Sequence, residues 1–287
     1  MTHPNHQCGH NRQLNNGMCF NKNDVDTLRK AYLQAHPQDS PPKHDAEFIQ
    51  WLEHRFPSCK KNHRCLLQQP FIKKQQSTQE LVQQVFLPKG PSHSEEWLNT
   101  THINTVMNQI AEKHENTLYA GTYPSNLEDF GLGDLNFGDL QKEGYHRVAM
   151  VVNTDPSWKS GQHWVALWTD FQKGHVYYWD SVGNWPPPPM LRFMSRCVEY
   201  MVERDNTHPH HIEKKYDIHY NTHEIQKENS QCGVYCVYTL TQLMKGRPYR
   251  DIIKEARTDK EMAFCRDFYW EASPERKKHS KHYHICH

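Results

Sequence analysis

Three closely spaced apolar runs constrain this chain more than any other feature. Residues 148–152 are wholly apolar, residues 164–168 are aromatic or aliphatic at every position, and residues 175–179 end in three aromatic rings. Runs of this length, rich in β-branched and aromatic side chains, read as buried strands. The second and third are joined through Asp170, Phe171, Gln172, Lys173 and Gly174, a hairpin distance. Residue 163, just before one strand, and residue 180, just after the next, are thereby brought to neighbouring strand ends.

Helical stripes surround this group. Residues 232–243 form an apolar helix with Val234, Val237, Tyr238 and Leu240 on its buried side. Residues 190–202 carry Met190, Phe193, Cys197 and Met201 at helical spacing, after a break at Gly183 and Pro186 to Pro189. A short strand is expected over 216–220. Upstream, Ser94 is placed to cap a helix carrying Glu95, Glu96, Trp97, Leu98, Ile103, Met107 and Ile110. The first 75 residues read as interrupted helices. One carries Val25, Leu28 and Tyr32 behind a cap at Asn23 or Asp24, and another starts at Asp45 with Phe48, Leu52 and Phe56. Linker candidates at 73–78 and 87–94 divide the chain into an N-terminal helical extension (1–86), a larger domain (87–272) and a basic tail (273–287).

The 287 residues suffice for a domain of about 200 residues with a smaller appendage. A net charge of +1 gives no general pull toward nucleic acid or acidic membranes. Only the tail, with Arg276, Lys277, Lys278 and Lys281 among histidines, could bind nucleic acid locally, and a solvated tail is the simpler reading. No run approaches the ~20 apolar residues of a membrane span, and the N-terminus has no signal-peptide core, so a soluble intracellular protein is expected. In that setting the nine cysteines read as thiols. Cys8, His10, Cys19, Cys59, His63 and Cys65 lack the paired spacing of a zinc site, so no metal or other cofactor is expected.

Chemistry concentrates at four positions. Cys232 stands where a loop enters the apolar helix, and unpaired helix N-terminal amides favour a thiolate. Gly233 beside it would let a substrate backbone approach. His163 and Asp180, at neighbouring strand ends, supply a base and the carboxylate that orients it. Gln226, in a polar loop six residues before Cys232, could donate to an oxyanion together with the Cys232 amide; Gln231 is a second candidate. Trp164 either walls a narrow substrate channel or packs in the core. Cys236, one turn after Cys232, reads as packing.

His163-Trp164, Asp180-Ser181, Gln226 and Cys232-Gly233, in that order, resemble the cysteine peptidase superfamily of SUMO proteases and the adenoviral protease; Trp97-Leu98-Asn99 is similar to the segment that opens the SUMO-protease domain. Residues 153–155, 161–166, 181–189 and 256–262 resemble the polyprotein-processing proteases of African swine fever virus and related large DNA viruses. The resemblance implies an α+β fold: a central mixed β-sheet flanked by helices, with an N-terminal helical extension. It implies a thiol endopeptidase that cleaves structural polyproteins after Gly-Gly type sites, in host cytoplasm and virion. The alternatives are a deconjugating protease for SUMO or another ubiquitin-like protein, and a noncatalytic binding relative. A papain-like enzyme is disfavoured because its nucleophile precedes its histidine.

Overall fold

The computed structural model describes residues 8–14, 17–73, 76–93, 95–207, 215–271 and 284–286. The chain divides into two compact units, Met1–Lys89 with Tyr269–Glu271, and Gly90–Phe268 with Ala272–His287. Apart from residues 284–286, the basic tail lies outside the described residues, as does the proposed cap Ser94.

The first unit is helical: α1 (Lys22–Ala35), α2 (Asp45–Arg55), α3 (His63–Leu67), α4 (Pro70–Lys73) and α5 (Gln76–Val85). α1 begins earlier than the sequence suggested, because Asn21 and Asp24 close a reciprocal capping box. Val25, Leu28 and Tyr32 face Phe48, Ile49 and Leu52 of α2 in a continuous apolar cluster. Trp51 and Phe71 meet the Tyr32 ring edge-on at 5.0 and 5.3 Å. The linker expected at 73–78 overlaps the start of α5, whereas that at 87–94 spans the boundary between the units.

Disulfides join Cys8 to Cys19, Cys59 to Cys65 and, in the second unit, Cys265 to Cys286. This overturns the reading of nine thiols. The pairs looked scattered in sequence, but the fold brings their Cα atoms to 5.1, 5.2 and 5.4 Å, within the span of the bond. Only Cys197, Cys232 and Cys236 are free. His10 and His63 join no cysteine cluster: His10 Nε2 lies 3.1 Å from the Tyr269 carbonyl, and His63 Nε2 lies 3.3 Å from Glu53.

The second unit is built on a mixed five-stranded sheet in the order β1 (Thr117–Tyr123), β2 (Arg147–Asn153), β3 (Trp164–Asp170), β4 (His175–Trp179), β5 (Asp217–Tyr220). The central pairs are antiparallel, and β1 and β5 add in parallel at the two edges. Its helices are α6 (Thr100–Ala111), α7 (Phe137–Lys142), α8 (Pro188–Asn206), α9 (Cys232–Met244), α10 (Tyr249–Glu255) and α11 (Asp259–Tyr269). Val148, Met150, Val152, Val165, Leu167, Val176 and Tyr178 pack with Met190, Phe193, Cys197 and Met201 of α8. Strand side chains alternate between faces, so the intervening residues face the opposite side, where α9 packs on β3 and Tyr249 of α10 stacks on Tyr177 at 4.5 Å. Every residue of α9 is buried, as a helix apolar on all sides but for Thr239, Thr241 and Gln242 is when it lies at the centre.

Trp97 and Leu98 precede a helix rather than lying within one. α6 starts at Thr100 because the Asn99 side chain accepts from the His102 amide while the His102 side chain returns a bond to the Asn99 amide. The reciprocal cap fixes the start at Thr100, five residues beyond the Glu95 start that a Ser94 cap implied.

Candidate active site

The hairpin β3–β4 positions two of the four candidate residues. Its turn is closed by Asp170, whose Oδ1 accepts from the amides of Gln172 and Lys173. Ala166 pairs with Trp179, so Asp180 lies diagonally from His163 across the strand ends. His163 Nε2 is 2.6 Å from Asp180 Oδ1, which also accepts from the Val182 amide at 2.9 Å. Asp180 is 1% exposed. Asn221, immediately after β5, brackets its backbone: the Asp180 amide donates to Asn221 Oδ1 at 2.9 Å and Asn221 Nδ2 donates to the Asp180 carbonyl at 2.6 Å. On the other side, Asn153 at the end of β2 accepts from the amides of Asp155 and Gln162, and the Thr154 amide donates to the His163 carbonyl. Gly161 turns this loop with φ +83°, and a Cβ there would stand 2.9 Å from Asn153 Nδ2.

Cys232 is the first residue of α9. His163 Nε2 is committed to Asp180, and Cys232 lies near enough to the imidazole to influence its charge. Burial disfavours the imidazolium, but the hydrogen bonds to Asp180 and Cys232, together with their charges, more than offset it and raise the His163 pKa to about 9. The other free thiols sit differently. Burial pushes Cys197 up to about 12, and Cys236 is raised by burial first and then by the charges of Cys232 and Asp180. Both are held in the protonated form, which is inert as a nucleophile.

Gln226 is buried, and its amide is oriented at both ends. Ser181 Oγ donates to Gln226 Oε1 at 2.6 Å, and one N–H of Nε2 goes to the Glu228 carbonyl. The second N–H is available to an incoming oxyanion. Gln231, the other candidate, is engaged instead by Arg266, whose Nε and Nη2 each lie 3.3 Å from Gln231 Oε1.

Trp164 is 8% exposed, and its indole N–H donates to the Leu98 carbonyl at 2.8 Å. It lines a cleft of ≈ 680 Å³ together with Trp97, Tyr123, Phe130, Asn153 and Gly161, so it both packs and forms a wall. Gly233 serves this packing rather than leaving room for substrate. A Cβ there would meet Leu98 Cδ1 at 2.9 Å and Trp164 Cδ1 at 3.3 Å. Sequence reading missed Asn221 and Arg266, which act on the site from a distance in the chain, and it gave Asn153 and Ser181 no role of their own.

A thiol beside an imidazole that is hydrogen-bonded to a carboxylate, with an oriented amide nearby, can carry out acyl transfer. Residues 148–277 match the family described as Ulp1 protease family, C-terminal catalytic domain. A putative thiol protease of Acanthamoeba polyphaga mimivirus, R355, is 27% identical over 96% of both chains. A SUMO-1 cysteine protease of African swine fever virus is 29% identical over 44% of each chain. The crystal structure of the African swine fever virus pS273R protease superposes with a TM-score of 0.64 over 95% of this chain and 98% of that one, at 18% identity, a likeness of fold. By this match at residues 148–277 and by its likeness to these viral thiol proteases, the chain is a cysteine protease with an Ulp1-like catalytic segment.

Proposed function

We propose that this protein is an endopeptidase that cleaves after Gly-Gly type sites and processes viral structural polyproteins during particle maturation, with Cys232 as nucleophile, His163 as base and Asp180 as its orienter. The observation that carries the chemistry is the 2.6 Å bond between buried Asp180 and half-buried His163, with Cys232 near enough to favour the imidazolium. The thiolate attacks the scissile carbonyl. The resulting oxyanion takes hydrogen bonds from the Cys232 amide and the second N–H of Gln226. The imidazolium gives its proton to the leaving amine, a thioester forms, and His163 then deprotonates the water that hydrolyses it.

The glycine preference rests on the walls beside the nucleophile. Trp164, pinned by Leu98, and the tight contact of Gly233 leave no slack for a bulky residue next to the scissile bond. Wider aromatic walls at Trp97, Tyr123 and Phe130 would take the residues upstream. Viral relatives support the polyprotein reading and its setting in host cytoplasm and virion; one relative's name, SUMO-1 cysteine protease, favours deconjugation of a ubiquitin-like protein as the second reading.

Hydrolysis of a fluorogenic Gly-Gly-Xaa peptide, set against a SUMO C-terminal fluorophore conjugate, separates the two. Efficient cleavage of the short peptide supports polyprotein processing. Cleavage of the conjugate alone replaces it with deconjugation. Inactivity on both, with no label at Cys232 from a Gly-Gly electrophile, supports a noncatalytic relative.

A further inference from the structure

The two donors assigned to the oxyanion sit at opposite ends of the loop 226–232. Ser181, just after β4, holds the Gln226 end through its carbonyl and hydroxyl, and the loop that joins the two is braced by α11. Asp259, its first residue, accepts from the amides of Lys227 at 2.7 Å and Glu228 at 3.1 Å through Oδ2. Glu228 in turn receives the Gln226 side-chain amide. Two turns along, Arg266 donates to the Ser230 carbonyl at 2.8 Å and to Gln231 Oε1 at 3.3 Å, and a third arm of the same guanidinium reaches the Glu96 carbonyl at 2.6 Å. Positions seven apart lie on one helix face, about 10 Å along its axis. One face of one helix therefore spans the loop.

The peptide geometry shows what this bracing does. The Gln231 carbonyl accepts from the Tyr235 amide at 3.0 Å, so it points down α9. In a trans peptide the carbonyl and N–H are antiparallel, so the Cys232 N–H points out of the helix start. The preceding peptide has its carbonyl, that of Ser230, fixed by Arg266. Rotation of Ser230 or Gln231 would swing the Cys232 N–H away from the cleft.

Arg266 is 0% exposed, and its guanidinium donates to the Ser230 and Glu96 carbonyls and to Gln231 Oε1, so it organises this loop rather than facing solvent. Beside Arg266, Cys265 is bonded to Cys286, whose carbonyl faces Gln242 Nε2 of α9 at 3.4 Å, which ties α11 to the helix that carries the nucleophile.

We propose that Arg266 and Asp259 are positioning residues that hold the two oxyanion donors, the Cys232 amide and the Gln226 side chain, in register with each other. The proposal builds on the cysteine protease reading of the site and is independent of the glycine preference except in the choice of probe.

The test compares Arg266→Gln, Arg266→Lys and Asp259→Ala with the wild type in four readouts: kcat and KM on a Gly-Gly-Xaa peptide, affinity for the matching peptide aldehyde, affinity for the cleaved peptide acid, and the rate of Cys232 alkylation by iodoacetamide. The aldehyde forms a tetrahedral hemithioacetal that needs the oxyanion donors; alkylation does not. Removing an oxyanion donor outright costs about 10²–10³ in kcat, and displacing one is expected to cost about tenfold to a hundredfold. The expected result is that fall in kcat with KM near the wild-type value, an equal loss of aldehyde affinity, and product affinity and alkylation within twofold of wild type. Arg266→Lys, which keeps the charge but cannot reach three acceptors, should fail like Arg266→Gln. Wild-type aldehyde affinity in the variants overturns the proposal, as does a uniform loss of all readouts in step with thermal stability. Should Arg266→Gln not fold, Asp259→Ala decides on the same criteria. A wild type inert toward Gly-Gly peptides overturns the glycine preference alone, and the variants are then compared on the aldehyde of the sequence it does accept.

Discussion

Asp180→Asn isolates the charge of the relay from its geometry. Asp180 Oδ1 accepts from both His163 Nε2 and the Val182 amide. An asparagine can place its carbonyl oxygen there and keep both bonds, with its NH₂ where Oδ2 stood. Only the negative charge is lost. The His163 pKa is raised from 6.5 to about 9 against the opposing effect of burial, and at roughly 1.36 kcal/mol per unit that preference for the imidazolium amounts to about 3 kcal/mol. Hydrogen bonding to Asp180 is its foremost support, followed by that to Cys232 and by the charges of both. Losing the Asp180 charge should remove on the order of 2 kcal/mol, or roughly thirtyfold in the equilibrium constant for protonating His163. The assay is the pH dependence of kcat/KM. Wild type should lose activity on the alkaline side near pH 9, as His163 deprotonates. The variant should have its alkaline limb moved down by roughly 1.5 units, so that it is about thirtyfold slower than wild type above pH 9 and close to it well below pH 7. Stability has the same sign. A histidine whose folded pKa exceeds its unfolded value stabilises fully below about 6.5 and loses that contribution as pH rises through about 9. The gap in melting temperature between wild type and variant should therefore narrow from pH 6 to pH 10. Activity within threefold of wild type above pH 9, with an alkaline limb still near 9, would refute the reasoning.

Three other outcomes follow from contacts of the same kind. Ser181→Ala removes the 2.6 Å bond that orients the Gln226 amide, and kcat should fall about tenfold with little change in KM; a change in KM alone would contradict that role. Gly233→Ala inserts a Cβ 2.9 Å from Leu98 Cδ1 and 3.3 Å from Trp164 Cδ1, which should lower stability by about 1–3 kcal/mol in a denaturant melt; an unchanged midpoint would show that Leu98 yields freely. Thiol titration of the oxidised, denatured protein should count three cysteines, Cys197, Cys232 and Cys236, and nine after reduction; nine before reduction would exclude the three disulfides.

What was legible in the sequence was local. Strands β2, β3 and β4 and helix α9 declare themselves because each is built around a long apolar run, and the hairpin between β3 and β4 places residues 163 and 180 together with no tertiary knowledge. β1 escaped notice. Its burial alternates only partly, a bulge at Gly121 breaks the period, and it exists as a strand through parallel pairing with β2, a distant segment. The disulfides were hidden for a related reason: their Cα proximity is a product of the fold, and Cys265 and Cys286 carry no spacing signature. At α6 the good helix formers Glu95, Glu96 and Leu98 suggested an early start that the Asn99 cap overrides. The supports of the site, Asn153, Asn221, Asp259 and Arg266, are ordinary polar residues in sequence. Their roles come from buried hydrogen bonds to backbone groups as many as 170 positions away, as between Arg266 and Glu96.

The most direct test of the account is covalent capture of the nucleophile. The protein is treated, with its disulfides intact, with a peptide vinyl sulfone ending in Gly-Gly, and the adduct is located by peptide mapping. The account predicts one adduct per chain, on Cys232, formed by the wild type and lost in His163→Ala, with Cys197 and Cys236 unmodified. An adduct on Cys197 or Cys236, or one on Cys232 that forms equally fast without His163, would contradict it.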